Sequence, residues 1–326
     1  MKYKALHVEE KDGRFTKEIQ ELDLVKLDKN DILIRVKYSA LNFKDALSAI
    51  GNKGITREYP HTPGIDGAGI VERSNTKEFK VGDEVIVTSF DLGMNTNGAF
   101  SQYISVPKEW VIPLPKTLSL KEAVAIGTAG LTAAIGTYKL LANGQIKGNK
   151  ILVSGATGAV GSFSVKLLSS LGFEVTALSS KADKQEFLTS IGAKNILLKE
   201  DFETHEKKPL LKPKFDGAID VVGGELLENL LKQIKPEGSV AICGLVSSAQ
   251  LNTTVFPFIL RGINLLGINS AELQQEKRNQ LWQLLANEWK IDLSDIMHEH
   301  SLEELPSLID KMLTGQSSGR AIITIN

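Results

Sequence analysis

Two glycine clusters hold the residues whose types and spacing bear on chemistry. SGATGAVGS (154–162) follows an apolar run, KILVSG, and opens a stretch with helical spacing. Gly158 and Gly161 stand where a dinucleotide turn has its second and third glycines, and Ala156 replaces the first. The second glycine lets backbone approach a pyrophosphate, and the third lets the helix pack close to its strand. Free amides at the helix start then face the phosphates, so Thr157, Gly158, Ala159, Val160 and Gly161 form the predicted cradle. A glycine pattern alone also occurs in plain turns, but here a strand precedes it and a helix and strand follow. After that next strand, EVTALS, the chain places Ser179, Ser180 and Lys181 where an acid would hold ribose hydroxyls. Two hydroxyls and an ammonium suit a 2′-phosphate, and Lys199 after the following strand adds a second positive charge. Lys181 also reads as a plain exposed lysine, although the helix macrodipole disfavours a cation at a helix start. The expected cofactor is NADPH.

The other cluster, PHTPGIDGAGIV (60–71), lacks a preceding apolar strand, and its Asp66 would repel a phosphate. It reads as a tight turn. His61 stands without partner ligands nearby in sequence and reads as structural or solvated.

The elements that must position these residues change character along the chain. Tyr3–His7, Ile32–Val36, Gly69–Glu72, Glu84–Thr88 and Phe100–Ser105 are short apolar or alternating runs between turn clusters such as EEKDGR and FKVGDE, which predicts a mostly β unit. From Lys150 onward, strands alternate with helical stretches at Val160–Leu171, Asp183–Ile191 and ELLENLLKQIK, which predicts a parallel sheet covered on both faces. HEKKPLLKPK (205–214) reads as a solvated loop. The tail carries helical spacing at Glu276–Trp289 and Leu302–Leu313 and a last strand at Ala321–Ile325.

The totals set limits. The chain has 326 residues, 42% hydrophobic and 24% charged, with a net charge of -1, the composition of a globular protein with two domains. No overall basic field favours nucleic acid or a bilayer as partner. Cys243 is the only cysteine, which excludes an intramolecular disulfide and a thiolate cage. The N-terminal MKYKALHVEEKDGR turns charged before an apolar signal core forms, and the apolar stretch 123–138 is short for a membrane span. The expected compartment is the cytoplasm.

PGIDGAGIV, VGDEVI, TAGLTA and GATGAVG, in this order over essentially the whole chain, resemble the medium-chain dehydrogenase/reductase superfamily. The resemblance implies an α/β fold: a Rossmann doubly wound parallel sheet plus a GroES-like, mostly β catalytic domain. The implied boundaries are 1–121 for the GroES-like domain, 122–270 for the NADP-binding domain, and 271–326 for a segment returning to the first. In alcohol dehydrogenase members a zinc-binding histidine precedes the acid; here that position is Ile65, and the expected cysteine falls near Asn42. No metal is therefore expected, and PGIDGAG reads as a turn inherited from a metal site.

Zinc-free members resemble quinone oxidoreductases, and SALNFKDAL (39–47) with PFILRGINLLGINS (257–270) is similar to the acryloyl-CoA reductase branch. That branch implies NADPH-dependent reduction of a double bond conjugated to a thioester. Quinone reduction is the rival activity, and an NADPH-binding sensor with incidental turnover the rival of another class. By the same resemblance Asn42, Lys44 and Asp45 lie in the active-site loop, with Asn42 donating to substrate or cofactor and Lys44 paired with Asp45. The alternative is a helix start with paired exposed charges. Phe43 stands where related chains often carry tyrosine. Thr128, Leu245, Ile268 and Ser270 are expected to border the nicotinamide, and Arg320 to reach the cofactor. Arg261 is expected to pair with a substrate phosphate or hold the interdomain cleft, with a structural salt bridge as the alternative. Cys243 reads as a small buried residue. The substrate is a small molecule, an enoyl-CoA or a quinone, and the family implies a homodimer.

Overall fold

The alternation of the first hundred residues becomes antiparallel sheet, and the strand–helix rhythm after Lys150 becomes parallel sheet, in a computed structural model that describes residues 2–24, 31–202 and 208–326. The strands are β1 (Lys2–Lys11), β2 (Arg14–Asp23), β3 (Ile32–Ala40), β4 (Asp66–Ser74), β5 (Glu84–Thr88), β6 (Tyr103–Val106) and β7 (Val111–Pro113). They continue as β8 (Lys150–Val153), β9 (Glu174–Ser179), β10 (Asn195–Leu198), β11 (Phe215–Asp220), β12 (Ile234–Ile242) and β13 (Asn264–Gly267), then β14 (Met297–Ser301) and β15 (Arg320–Thr324).

Two units emerge, one of Met1–Ala129, Ala271–Ala286 and Met297–Asn326, the other of Gly130–Ser270 and Asn287–Ile296. The expected division at 121/122 thus moves to 129/130, inside the helix Leu120–Ala142, and residues 287–296 go with the second unit. This helix has the length and apolarity of a membrane span, but 78% of its apolar window is buried within the protein.

In the first unit the sheet runs β14-β15-β3-β4-β5-β7, with β6 also paired to β3. Its inward positions, among them Ile34, Val36, Val85, Val87 and Ile104, share one core with Phe100 and with Leu305 and Ile309 of the helix Leu305–Leu313. β1 and β2 form a hairpin through Asp12 and Gly13, both at positive φ (51° and 73°), the geometry a two-residue Asp-Gly turn requires. β2 was not among the predicted strands, because RFTKEIQELD buries little and carries charge on both faces. The predicted 100–105 strand starts only at Tyr103.

The second unit holds six parallel strands in the order β10-β9-β8-β11-β12-β13. This is the doubly wound dinucleotide-binding order, with the change of direction between β8 and β11. Leu152, Leu178, Ala218 and Val240 of the strands bury against Leu226, Leu227 and Leu230 of the helix Gly224–Leu231. Within the predicted 205–214 loop, 205–207 lie outside the described residues. The rest has no regular structure, yet Leu211 and Lys214 donate to the carbonyls of Lys232 and Gln233.

Candidate functional site

The second unit builds the glycine turn as its spacing requires. β8 ends into Gly155 at φ 56°, and the helix Ala159–Ser170 starts after Gly158 without a capping side chain. The amides of Ala159, Val160 and Gly161 precede the first intrahelical bond, from Ser162 N–H to Gly158 O, and so remain available for an anion. A Cβ on Gly161 would collide with the carbonyl oxygen of Gly155, so only glycine lets helix and turn approach this closely. Thr157 is buried beside them.

At the carboxyl end of β9, Ser179 is buried and its hydroxyl oxygen accepts the Lys181 amide at 3.0 Å. Ser179 therefore shapes the loop, while Ser180 is exposed and Lys181 half-buried. Burial, and then the neighbouring Lys184, lower the Lys181 pKa. Lys199 follows β10 at the start of the short helix Lys199–Phe202. Leu245 is exposed past the end of β12, Ile268 N–H bonds Ile242 O at 2.8 Å, and Ser270 accepts from the Thr132 hydroxyl at 2.9 Å. Cys243 is half-buried, and burial followed by the Asp220 charge pushes its thiol up to about 12, well away from a nucleophile.

Arg261 corrects its expectation. Its guanidinium donates to the carbonyls of Lys232 (2.8 Å), Ile234 (2.9 Å) and Leu211 (2.5 Å), so it forms neither a salt bridge nor a free phosphate fork. These bonds tie the segments around Leu211, Lys232 and Ile234 together, beside the bond from the Leu211 amide to the Lys232 carbonyl.

In the first unit, the acid of PGIDGAG lies at the centre of a buried polar network. Asp66 Oδ1 accepts from the Thr128 amide at 2.8 Å and the Thr128 hydroxyl at 2.6 Å. Its Oδ2 accepts from Asn42 Nδ2 at 2.9 Å and Arg320 Nη2 at 2.6 Å. Asp66 is 0% and Arg320 1% exposed. Arg320 also donates to Asn42 Oδ1 (2.8 Å) and to the carbonyls of Leu41 (3.1 Å), Ala125 (3.1 Å) and Val124 (3.3 Å). A fully committed, buried guanidinium does not reach a cofactor, which corrects the reading of Arg320.

This ion pair mends a broken helix. Leu120–Ala142 is interrupted at Gly127 (φ 45°, ψ -152°), where a Cβ would lie 2.5 Å from Arg320 Nη2 and 2.6 Å from Asp66 Oδ2. Arg320 takes the carbonyls of the first half, and Asp66 takes the first amide of the second half. Each charge thus sits at the helix end whose dipole favours it.

The loop expected to carry the active site is tied to the same network. The helix Phe43–Ala49 follows Asn42, whose side-chain amide is spent on Asp66, Ala40 O, Asp45 and Arg320. Asp45, 0% exposed, accepts from Asn42 N–H (2.8 Å), Asn42 Nδ2 (3.2 Å), Gly64 N–H (3.1 Å) and Ile65 N–H (2.9 Å). Burial pushes its carboxyl up to about 7, with a further rise from the nearby Asp66, against the Asn42 and Ile65 donors that favour the anion. Asn42 and Asp45 thus spend their side chains on one another, on Asp66, on Arg320 and on backbone groups of the same loops. Among the described residues no ion pair joins Lys44 to Asp45, and Lys44 is half-buried. Phe43 is 37% exposed at the first helical position.

Sequence reasoning passed over Asp66 and Ser89. The Ser89 hydroxyl lies 2.9 Å from Thr128 Oγ1, at a positive φ of 66° that side chains rarely adopt. The signal for Asp66 was an acid among glycines at a strand start. Its counter-charge lies 254 residues away, beyond the reach of local patterns.

Zinc does not fit these residues. Ile65 offers hydrocarbon, Asn42 offers an amide already spent, and both Asp66 oxygens are taken. Among the described residues no cluster of three or more His, Cys, Asp or Glu side chains could hold a metal ion.

Comparison with known proteins follows the same architecture. The alcohol dehydrogenase GroES-like domain matches residues 28–116, and the zinc-binding dehydrogenase domain matches 159–287. YhfP of Bacillus subtilis, named as a quinone oxidoreductase, is 39% identical over 99% of both chains. The acrylyl-CoA reductase AcuI of Ruegeria pomeroyi is 37% identical over 98% of this chain and 97% of its own. The structure of Escherichia coli YhdH with bound NADPH superposes with a TM-score of 0.95 at 37% identity, over 99% of this chain and 100% of that one. YhfP, solved with NAD bound, superposes at 0.96 and 39% identity, over 100% of both. With two domain models in sequence order, full-length relatives near 40% identity, and both a GroES-like unit and a doubly wound sheet, the chain belongs to the medium-chain dehydrogenase/reductase family.

Proposed function

We propose that this oxidoreductase uses NADPH to reduce the carbon–carbon double bond of acryloyl-CoA or a similar short enoyl thioester, without zinc. The observation that carries the cofactor is the uncapped helix start behind Gly158 and Gly161, with Ser180 and Lys181 and no carboxylate at the end of β9. The NADPH-bound relative supports it, and the 37%-identical acrylyl-CoA reductase supports the substrate class.

NADPH, when bound, supplies a hydride. The proposed cofactor contacts are the backbone from Thr157 through Ala159 and Val160 to Gly161, then Ser180, Lys181, Lys199, Leu245, Ile268 and Ser270; the family resemblance adds Thr128 and Phe43. Adding hydride at the β-carbon moves negative charge to the thioester oxygen, and a proton then reaches the α-carbon. Of the three loop residues only Lys44 keeps a side chain free of a described partner, so charge stabilisation falls to it. Asn42 and Asp45 hold the loop that carries it. Phe43 has no exchangeable proton, so in this reading the final proton comes from water.

Quinone reduction is the second reading, favoured by the relative named for it. The test is oxidation of NADPH by the purified protein with acryloyl-CoA, beside a simple quinone and an NADH control. Thioester turnover specific to NADPH is expected; quinone turnover without thioester turnover would overturn the proposal.

The reading includes a cytoplasmic homodimer. Leu245, Val246, Val255, Phe256, Ile259 and Leu260 are large, exposed and apolar, and β13 is an edge strand of its sheet. A monomeric mass in light scattering would refute the dimer.

A further inference from the structure

A buried carboxylate in the second unit has no part in the reading so far. Asp220 ends β11 and Ser154 follows β8, the two neighbouring strands at which the sheet reverses its winding. From β8 the chain passes through the helix Ala159–Ser170 to β9, and from β11 through Gly224–Leu231 to β12. The two exits therefore diverge, and a dinucleotide binds in the crevice this opens. The last backbone bond between them runs from Ser154 N–H to Ile219 O at 3.1 Å.

Beyond that bond, side chains hold the exits together. The Ser154 hydroxyl donates to Asp220 Oδ1 at 2.5 Å and accepts from the Val221 amide at 2.9 Å. Asp220 also accepts from the amides of Gly223 at 2.8 Å and Val222 at 3.4 Å. Both residues are 0% exposed. An acid here would otherwise repel phosphate, but its oxygens are turned onto the hydroxyl and the two amides. On the far side, Gly244 packs against the Val221 backbone so closely that no Cβ fits, which fixes the same loop from β12.

We infer that Ser154 and Asp220 are positioning residues for the dinucleotide: their hydroxyl–carboxylate tie sets the spacing between the phosphate-binding turn and the Val221–Gly224 loop. The inference rests on the cofactor reading above. It assigns the tie a role in binding the pyrophosphate, with no direct contact to the ligand.

The test measures affinity of the full-length protein for two probes, NADPH and adenosine 2′-monophosphate. The second carries the adenosine and 2′-phosphate but no pyrophosphate. Ser154→Ala removes the tie. Asp220→Asn keeps it, because a serine hydroxyl can donate to the amide oxygen or accept from the amide nitrogen, whichever way the amide turns. Ser154→Ala is expected to raise the Kd for NADPH about tenfold, the scale of one well-placed hydrogen bond, and to leave adenosine 2′-monophosphate within about twofold. Asp220→Asn is expected to stay within about threefold for both probes. NADPH affinity unchanged in Ser154→Ala, or both probes weakened alike, would overturn the inference. Wild-type protein that fails to bind NADPH would overturn the cofactor reading first, and the inference with it. Should Ser154→Ala not fold, Ser154→Cys keeps the volume with a much weaker donor and carries the same comparison.

Discussion

Replacing Arg320 by methionine tests the buried network most directly. The guanidinium meets Asp66 at 2.6 Å and Asn42 at 2.8 Å, and adds bonds to three backbone carbonyls. Methionine fills much of the volume but leaves Asp66 as an anion at 0% exposure, with Thr128 and Asn42 as its remaining donors. Removing one partner of a buried pair typically costs about 3–5 kcal/mol, because the other charge stays uncompensated. The two helix carbonyls at Gly127 lose their donor as well, so the upper half of that range is expected. For a unit of this size that corresponds to a drop of roughly 8–20 °C in Tm. Urea unfolding of the full chain, followed by tryptophan fluorescence and circular dichroism, measures it. The Asp66→Asn, Arg320→Met double variant should recover about 1–3 kcal/mol relative to Arg320→Met, since no naked charge remains. A single variant that loses less than about 1 kcal/mol, or a double variant no better than the sum of its singles, would refute the reasoning.

Other outcomes follow from the same geometry. Asp45 has a folded pKa near 7 against an ordinary 3.8, so between about pH 4 and 7 the folded state holds more protons than the unfolded chain. Its contribution to stability is full below about pH 4 and lost as pH rises through 7. Relative to Asp45→Asn, the wild type should lose stability across that window in urea titrations, and parallel profiles would count against it. Gly161→Ala should both lower stability and weaken NADPH binding at least about tenfold, because the added Cβ collides with the Gly155 carbonyl; fluorescence titration reads the second effect. Lys181→Ala should raise the Kd for NADPH about tenfold while leaving NADH within a factor of two, the difference reporting the 2′-phosphate alone. Equal loss for both cofactors would instead make Lys181 a structural residue.

Much of this protein is written in local patterns. KILVSG followed by Gly158 and Gly161 specifies a strand, a tight turn and a close helix, because each step depends on residues only a few positions apart. The parallel sheet follows from the same strand–helix rhythm, and the chemistry at the end of β9 from three adjacent side chains. The polar strand β2 was hidden for the converse reason: with little to bury, it has no hydrophobic period to display.

What only the tertiary structure decided is where charges go. Asn42, Asp45, Asp66, Thr128 and Arg320 are scattered from the first strands to the last, and nothing in their neighbours shows that they share one water-free site. The family resemblance made Asn42 an expected donor to substrate or cofactor and Arg320 an expected cofactor contact, and Arg261 was expected at a substrate phosphate, at the interdomain cleft or in a salt bridge. Folding instead spends each of them on a partner far along the chain, because a buried polar group must find its partners inside the protein. Hydrophobic period and turn chemistry are properties of short segments and survive in the sequence. Pairing of buried polar groups is a property of the packed chain, and only its coordinates reveal it.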